Sequence, residues 1–164
     1  MRTINDDFDY QVLNLTDKFY TDYPEEKYPE LLQKDPRPYN CLLIQSHYGY
    51  FICVPYRTNV RHRYSFRFQK FDRSSTYNPG LDFSKIVIVT NHDYIGNKDA
   101  IVNQKQYNKT RERIEHIKND VQKYVDNYVA GICGNDTVYD SQEFERIYQF
   151  STLQYFHKEL GIEK

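Results

Sequence analysis

Two periodicities divide this chain, and no single-class fold accommodates both. Between residues 39 and 90 the apolar residues fall in short runs: YNCLLIQ (39–45), YFICV (50–54) and Ile86-Val87-Ile88-Val89. Runs of that length, rich in β-branched and aromatic residues and bounded by turn residues, are strand signals. From residue 103 the apolar positions recur instead at 3- and 4-residue spacing, through Tyr107, Ile114, Ile117, Val121, Tyr124 and Tyr128. That spacing places them on one face of a helix. Strands followed by helices make the chain α+β.

The details sharpen the expectation. SHYG (46–49) reads as a turn, so 39–54 is a hairpin. Tyr64, Phe66 and Phe68 alternate with Ser65 and Arg67, giving a third strand with one apolar face and one partly basic face. DRSSTYNPG (72–80) is loop chemistry, with Asn78-Pro79-Gly80 as its turn. Four or five short strands are expected, curled into a small, highly curved antiparallel β-barrel. Asn103, with Gln106 three residues on, resembles a capping box, and Gly131 and Gly134 are expected to stop the helix behind it. A second helix starts at Asp140, with Glu143 three residues later, and buries Phe144, Ile147, Tyr148, Tyr155 and Phe156. The two helices are expected to form a long C-terminal pair packed on the barrel. The first 35 residues are polar and read as irregular, with YPEEKYPE as a loop or short helix.

At 164 residues the chain is most simply one domain, of a size that buries roughly 70% of its unfolded surface. No apolar run approaches the ~20 residues needed to cross a membrane. MRTINDDFDY is acidic where a secretory leader is basic and then apolar. Cys41, Cys53 and Cys133 are an odd number without metal-ligand spacing, so reduced cysteines and a cytoplasmic location are expected. Tyrosine occurs 17 times and tryptophan not at all. Core and surface filling is the plain explanation; stacking on unpaired bases is the sharper one.

Charge is unevenly divided although its sum is −1. Residues 1–36 carry nine acids against four bases, whereas residues 57–73 carry six bases (Arg57, Arg61, Arg63, Arg67, Lys70, Arg73) against Asp72 alone. Arginine on a sheet edge can serve only to keep it soluble. Yet four arginines within eleven residues repel one another unless an anion lies among them, and a phosphate backbone answers that demand with paired hydrogen bonds. Pro55 is expected to end the ladder of the second strand, leaving Arg57–Arg63 as a basic connection.

The common enzyme signatures (GxxxxGK[ST], GxGxxG, GxSxG, HExxH) are absent from the sequence. His92-Asp93 reads as a solvated turn, and His47 and His116 as structural or solvated. A basic patch becomes a ribonuclease if it aligns a ribose 2′-hydroxyl with its own phosphate, a reaction that needs proton exchange and cations but neither metal nor cofactor. His62 can serve as acid or base. Thr58 can hold a phosphate oxygen or the 2′-hydroxyl, and Arg57, Arg61 and Lys85 can carry the charge.

Three stretches resemble toxins of type III toxin–antitoxin systems, the ToxN/AbiQ/CptN group, and are most similar to its CptN-like branch. They are Asp35-Pro36-Arg37-Pro38-Tyr39 leading into a strand, Tyr50-Phe51-Ile52-Cys53-Val54-Pro55-Tyr56-Arg57-Thr58, and Gly80-Leu81-Asp82-Phe83-Ser84-Lys85 before Ile-Val-Ile-Val. The resemblance covers roughly residues 10–160. It implies a barrel related to the MazF/Kid toxins and a metal-independent endoribonuclease that leaves a 2′,3′-cyclic phosphate. It implies a small pseudoknotted antitoxin RNA, cut from a repetitive precursor, that inhibits the enzyme and closes with it into a ring-like assembly. By position, Arg37 matches the family's basic residue, Thr58 its hydroxyl, and Lys85 its lysine. The family's Pro-Lys-Lys is replaced by Asn59-Val60-Arg61-His62, so proton transfer falls to His62 or Lys85 and charge to the arginines, Arg57 among them. The expected RNA-contacting set is Arg37, Tyr39, Tyr56, Asn59, Arg61, Arg63, Arg67 and Asp82. Two other classes stay open. One is a non-catalytic RNA-binding module using arginines and stacking tyrosines; the other is a protein-interaction domain whose arginines meet an acidic partner.

Overall fold

The computed structural model describes residues 10–33, 39–46, 48–100, 102–134 and 138–162. The chain is α+β, with seven strands in one antiparallel sheet and helices after it. The strands are β1 (Tyr10–Leu15), β2 (Asn40–Gln45), β3 (Phe51–Arg57), β4 (Ser65–Arg67), β5 (Gly80–Asp82), β6 (Val87–Val89) and β7 (Ile95–Asp99). Their order is β4-β5-β3-β2-β1-β7, with β6 also pairing to β3. The expected hairpin is present, with Cys41 opposite Pro55 and Gln45 opposite Phe51. Cys41–Ile44 and Ile52–Tyr56 are all buried. Because successive strand residues point to opposite faces, both faces of this hairpin are covered.

Four expectations need correction. The sheet does not close into a barrel. Among the described residues β4, three residues long, pairs only with β5, while β7 pairs only with β1 and breaks register between Leu13 and Leu15. Neither end therefore offers a ladder long enough to meet the other. The N-terminal part is not all irregular, because YQVLNL forms β1 between β2 and β7 of the sheet, followed by α1 (Asp17–Asp22). Pro55 does not end β3. The strand runs on to Arg57, and Pro55 sits where its outer partner changes from β6 (Phe51–Cys53) to β5 (Tyr56, Arg57). A residue without an N–H is tolerated at such a seam. Finally, the C-terminal helices are not a long pair. α2 (Gln104–Glu112) and α3 (Ile114–Cys133) are separated at Arg113, and α4 (Ser141–Tyr148) is eight residues, followed by a 3₁₀ turn at Thr152–Tyr155.

The helix starts follow the sequence signals. Asn103 accepts from the N–H of Lys105 and of Gln106, and Asp140 accepts from the N–H of Glu143. α3 buries Ile117, Val121, Tyr124, Val125 and Tyr128, one face of the helix. Tyr124 reaches Tyr64 and Phe83 at ring distances of 6.2 and 6.1 Å, which seats α3 over the β4–β5 end of the sheet. A second aromatic group gathers Phe19 and Tyr23 of the α1 region with Tyr28, Tyr94 and Phe156. Many tyrosines thus fill core, as the plain explanation held. Cys41 and Cys53 are buried, Cys133 is exposed, and all three are free thiols. Among the described residues no helix is long and apolar enough to cross a membrane.

Gly134, at φ 75°, is the residue that caps α3. Gly131 does not stop the helix; it lies inside α3 because Phe144 of α4 occupies the space a side chain would take, 2.2 Å from the position of a Cβ. Gly131→Ala should therefore destabilise the protein by about 1–3 kcal/mol, overriding the ~1 kcal/mol that alanine gains over glycine in a helix. Thermal unfolding of the variant checks this, and the double variant Gly131→Ala/Phe144→Leu should recover part of the loss.

Candidate functional site: a buried aspartate behind an arginine–threonine cleft

The centre of the basic segment is Asp82, at the end of β5, with no exposed surface. One carboxylate oxygen, Oδ2, accepts from Arg57 Nη1 at 2.9 Å. The other, Oδ1, accepts from the Ser84 N–H at 2.9 Å and the Ser84 hydroxyl at 2.7 Å, and it meets His62 Nε2 at 2.9 Å. The ladders explain the meeting: Arg57 pairs with Gly80 across β3–β5, and Ser65 pairs with Asp82 across β4–β5. Burial by itself raises the Asp82 pKa, but the hydrogen bond from His62, followed by those from Ser84 and Arg57, outweighs it and holds the carboxyl at about 2.

His62 is fixed at both nitrogens. The N–H of Tyr64 donates to Nδ1 at 3.1 Å, so Nε2 carries the proton of the neutral ring and gives it to Asp82. Proton exchange by His62 with a substrate requires one of these bonds to open. Lys85, three residues beyond Asp82, points elsewhere: its ammonium pairs with Glu30 at 3.1 Å and donates to the Phe150 carbonyl at 3.4 Å.

Arg57 and Thr58 line one cleft of about 170 Å³ together with Asn40, Tyr56, Val102, Asn103 and Gln106. This is where the first residue of β2, the last of β3 and the start of α2 converge, and a helix start favours negative charge. Arg57 is anchored through Nη1 only, and its other guanidinium nitrogens have no partner among the described residues. Thr58 is exposed, and its hydroxyl is likewise unpartnered among the described residues. A guanidinium pinned from behind by a buried carboxylate, beside a free hydroxyl and a helix start, can hold a tetrahedral anion.

Arg61 donates to the carbonyls of Ser75 (3.0 Å) and Arg73 (2.7 Å), across the 72–80 loop. Arg67 donates to the His62 carbonyl at 2.8 Å and lies 4.5 Å from the Phe71 ring. Arg63 lies over its neighbour Tyr64 and bonds the Tyr64 hydroxyl. Asn59 accepts from Asn78, the buried residue that also binds Asp72 and Ser75 and so shapes the loop. Tyr56 is core: it stacks on Phe68 at 5.6 Å and bonds Thr110 of α2 at 2.9 Å, so its ring is not open to a base. Tyr39 offers its carbonyl to Asn14 at the start of β2. Arg37 and the Asp35–Pro38 stretch lie outside the described residues.

Three of the four arginines are answered internally, Arg57 by the Asp82 carboxylate and Arg61 and Arg67 by backbone carbonyls. Among the described residues Arg57 and the exposed Arg63 keep unfilled donors, as does the buried Nε of Arg67. Ser84, which completes the Asp82 cluster, was present only as a member of the Gly-Leu-Asp-Phe-Ser-Lys stretch, and Asn103 only as a helix cap. His92 and Asp93 form a short 3₁₀ turn away from this cluster, and Asp93 is exposed. Among the described residues no group of three or more His, Cys, Asp and Glu side chains is arranged to hold a metal ion. Comparison of the chain with protein-family models, curated proteins and solved structures finds no match in any of the three.

Proposed function

We propose that the protein is a metal-independent endoribonuclease toxin of the type III toxin–antitoxin kind, with RNA phosphate seated in the Arg57–Thr58 cleft. One observation carries the reading: Arg57 and Thr58 share a polar cleft and the guanidinium is oriented by a buried carboxylate. The three family-like stretches support it independently, since two of them supply this site through Tyr56-Arg57-Thr58 and Gly80–Lys85. In the reaction the 2′-hydroxyl attacks the adjacent phosphorus and the bond to the 5′-oxygen breaks. The 2′-hydroxyl loses its proton and the 5′-oxygen gains one, leaving a 2′,3′-cyclic phosphate and a 5′-hydroxyl. Arg57 stabilises the charge that grows on the non-bridging oxygens, Thr58 positions a phosphate oxygen or the 2′-hydroxyl, and His62 and Ser84 keep Asp82, hence Arg57, in place. Its own small pseudoknotted RNA, processed from repeats and filling the same cleft, holds the enzyme inactive in a closed protein–RNA assembly.

The test is incubation of the purified chain with single-stranded RNA in EDTA, with end mapping of the products. Cyclic-phosphate ends at defined positions are expected; intact RNA, or cleavage abolished by the chelator, removes the mechanism. A second reading, RNA binding without chemistry, is favoured by one specific feature: both His62 nitrogens and the Lys85 ammonium are already engaged. It expects salt-sensitive binding and no products at any protein concentration.

A further inference from the structure

A second cleft, of about 180 Å³, opens where the start of β4 meets α3 and α4. Its aromatic walls include Tyr64, Tyr139 and Tyr148, and its polar lining includes Arg63, Lys123 and Asn127. Three polar groups of the lining stand out. Lys123, Asn127 and the Tyr139 hydroxyl make no hydrogen bond or ion pair with any described residue. Tyr148, by contrast, spends its hydroxyl on the Tyr124 carbonyl at 2.8 Å and is a fixed wall. Asp120, the one acid in the lining, bonds His116 at 3.0 Å, and the two cations Arg63 and Lys123 outnumber it. The volume is below the ~300–1,000 Å³ of sites for larger organic ligands, which suits one ring system. Flat aromatic surface, an open amide and two cations together are the chemistry that takes an unstacked base and its phosphate.

The cleft is also joined to the phosphate seat. Tyr64 lies 6.4 Å from the His62 ring at an interplanar angle of 27°, and its N–H holds His62 Nδ1. His62 in turn bonds the carboxylate that orients Arg57. We infer that this cleft binds a single unpaired nucleotide of an RNA strand, with the base against Tyr64 and Tyr139, its edge on Asn127, and its phosphate on Arg63 and Lys123. The assignment rests on the reading of the protein as RNA-binding and adds to it a base-recognition subsite beside the phosphate seat.

The test uses the full chain and 2′-O-methyl RNA heptamers, which lack the attacking hydroxyl and so report binding alone. One heptamer is intact and the others carry an abasic residue at each position in turn. By fluorescence anisotropy, Tyr139→Ala should bind the intact heptamer roughly tenfold more weakly than wild type, the loss of one stacked base. One member of the abasic series should lose a similar factor on wild type and nothing further on the variant. Asn127→Ala, on a partly exposed helix position, serves as a second variant that does not disturb the α3–α4 packing, and it should weaken binding in a base-dependent way. Unchanged affinity in both variants, with Arg57→Ala still weakening the heptamer, overturns the base cleft and leaves the phosphate seat standing. Titration with adenosine 5′-monophosphate separates the opposite failure: nucleotide binding lost in Tyr139→Ala, in a protein with no heptamer affinity, retains the cleft and overturns the RNA reading. Polyglutamate bound through Lys123 without dependence on Tyr139 marks an acidic protein partner and overturns the inference.

Discussion

Arg57→Ala should lower the rate of RNA cleavage by about 10²–10³-fold, the loss seen when one preorganised donor is taken from the charge that develops in a transition state. kcat and kcat/KM should fall together, because the interaction strengthens only as the phosphorus becomes more crowded with negative charge. Arg57→Lys should recover little of it. An ammonium restores the charge, but it cannot reach Asp82 with one nitrogen and present a planar pair of donors with the rest. The same substitution also removes one of the Asp82 partners, so thermal unfolding must be followed in parallel; the lysine variant, which keeps a cation near Asp82, separates stability from chemistry. A cleavage rate that falls less than fivefold would mean that the guanidinium serves Asp82 and not the substrate.

Asp82→Ala is expected to have the largest effect on folding, about 3–5 kcal/mol, as for other losses of a partner from a buried ionic group. That is a large share of the ~5–15 kcal/mol that keeps an ordinary domain folded. It would strand the Ser84 donors and untie His62 from Arg57 in one step. The pH dependence follows from the direction of the carboxyl's shift. Asp82 titrates at about 2 in the folded chain and near 3.9 in an unfolded one. Its contribution is therefore complete above about pH 4 and disappears as the pH falls toward 2. Urea unfolding of wild type and Asp82→Ala at neutral pH, pH 4 and pH 2.5 should show the gap between them close over that acid range. A gap that stays constant would show that packing, and not the ionised carboxylate, is what alanine removes.

How much of this was legible in the sequence depended on whether the decisive contact was local. The hairpin at 39–54, the run Ile86–Val89 and the caps Asn103 and Asp140 are each specified within a few residues, and each was readable. β1 was hidden because Val12, Leu13 and Leu15 sit in an acidic, polar surround, and it forms by pairing with β2 about thirty residues later. β7 was harder still. Ile95 is its only large apolar residue, and its ladder exists only because β1 is there to receive it. The site shows the same division. Arg57, Thr58 and His62 were identified by residue type, but counting acids along the chain found Asp72, whereas the carboxylate that binds Arg57 and His62 lies 25 and 20 residues away. The β3–β5 and β4–β5 ladders bring it there, and no short window contains both sides of the contact.

The way β3 shares its outer side has a mechanical outcome. β4 and β5 form an arm whose ladder to the rest of the sheet consists of two residue pairs, Tyr56–Leu81 and Arg57–Gly80, just past the seam at Pro55. The buried carboxylate clamps that arm to the final residue of β3, so the clamp and the proposed phosphate seat share one guanidinium. Opening of the arm would separate Arg57 from its anchor while the hairpin beneath stays paired, and amide hydrogen exchange should register Ser65–Arg67 as the first strand to let go.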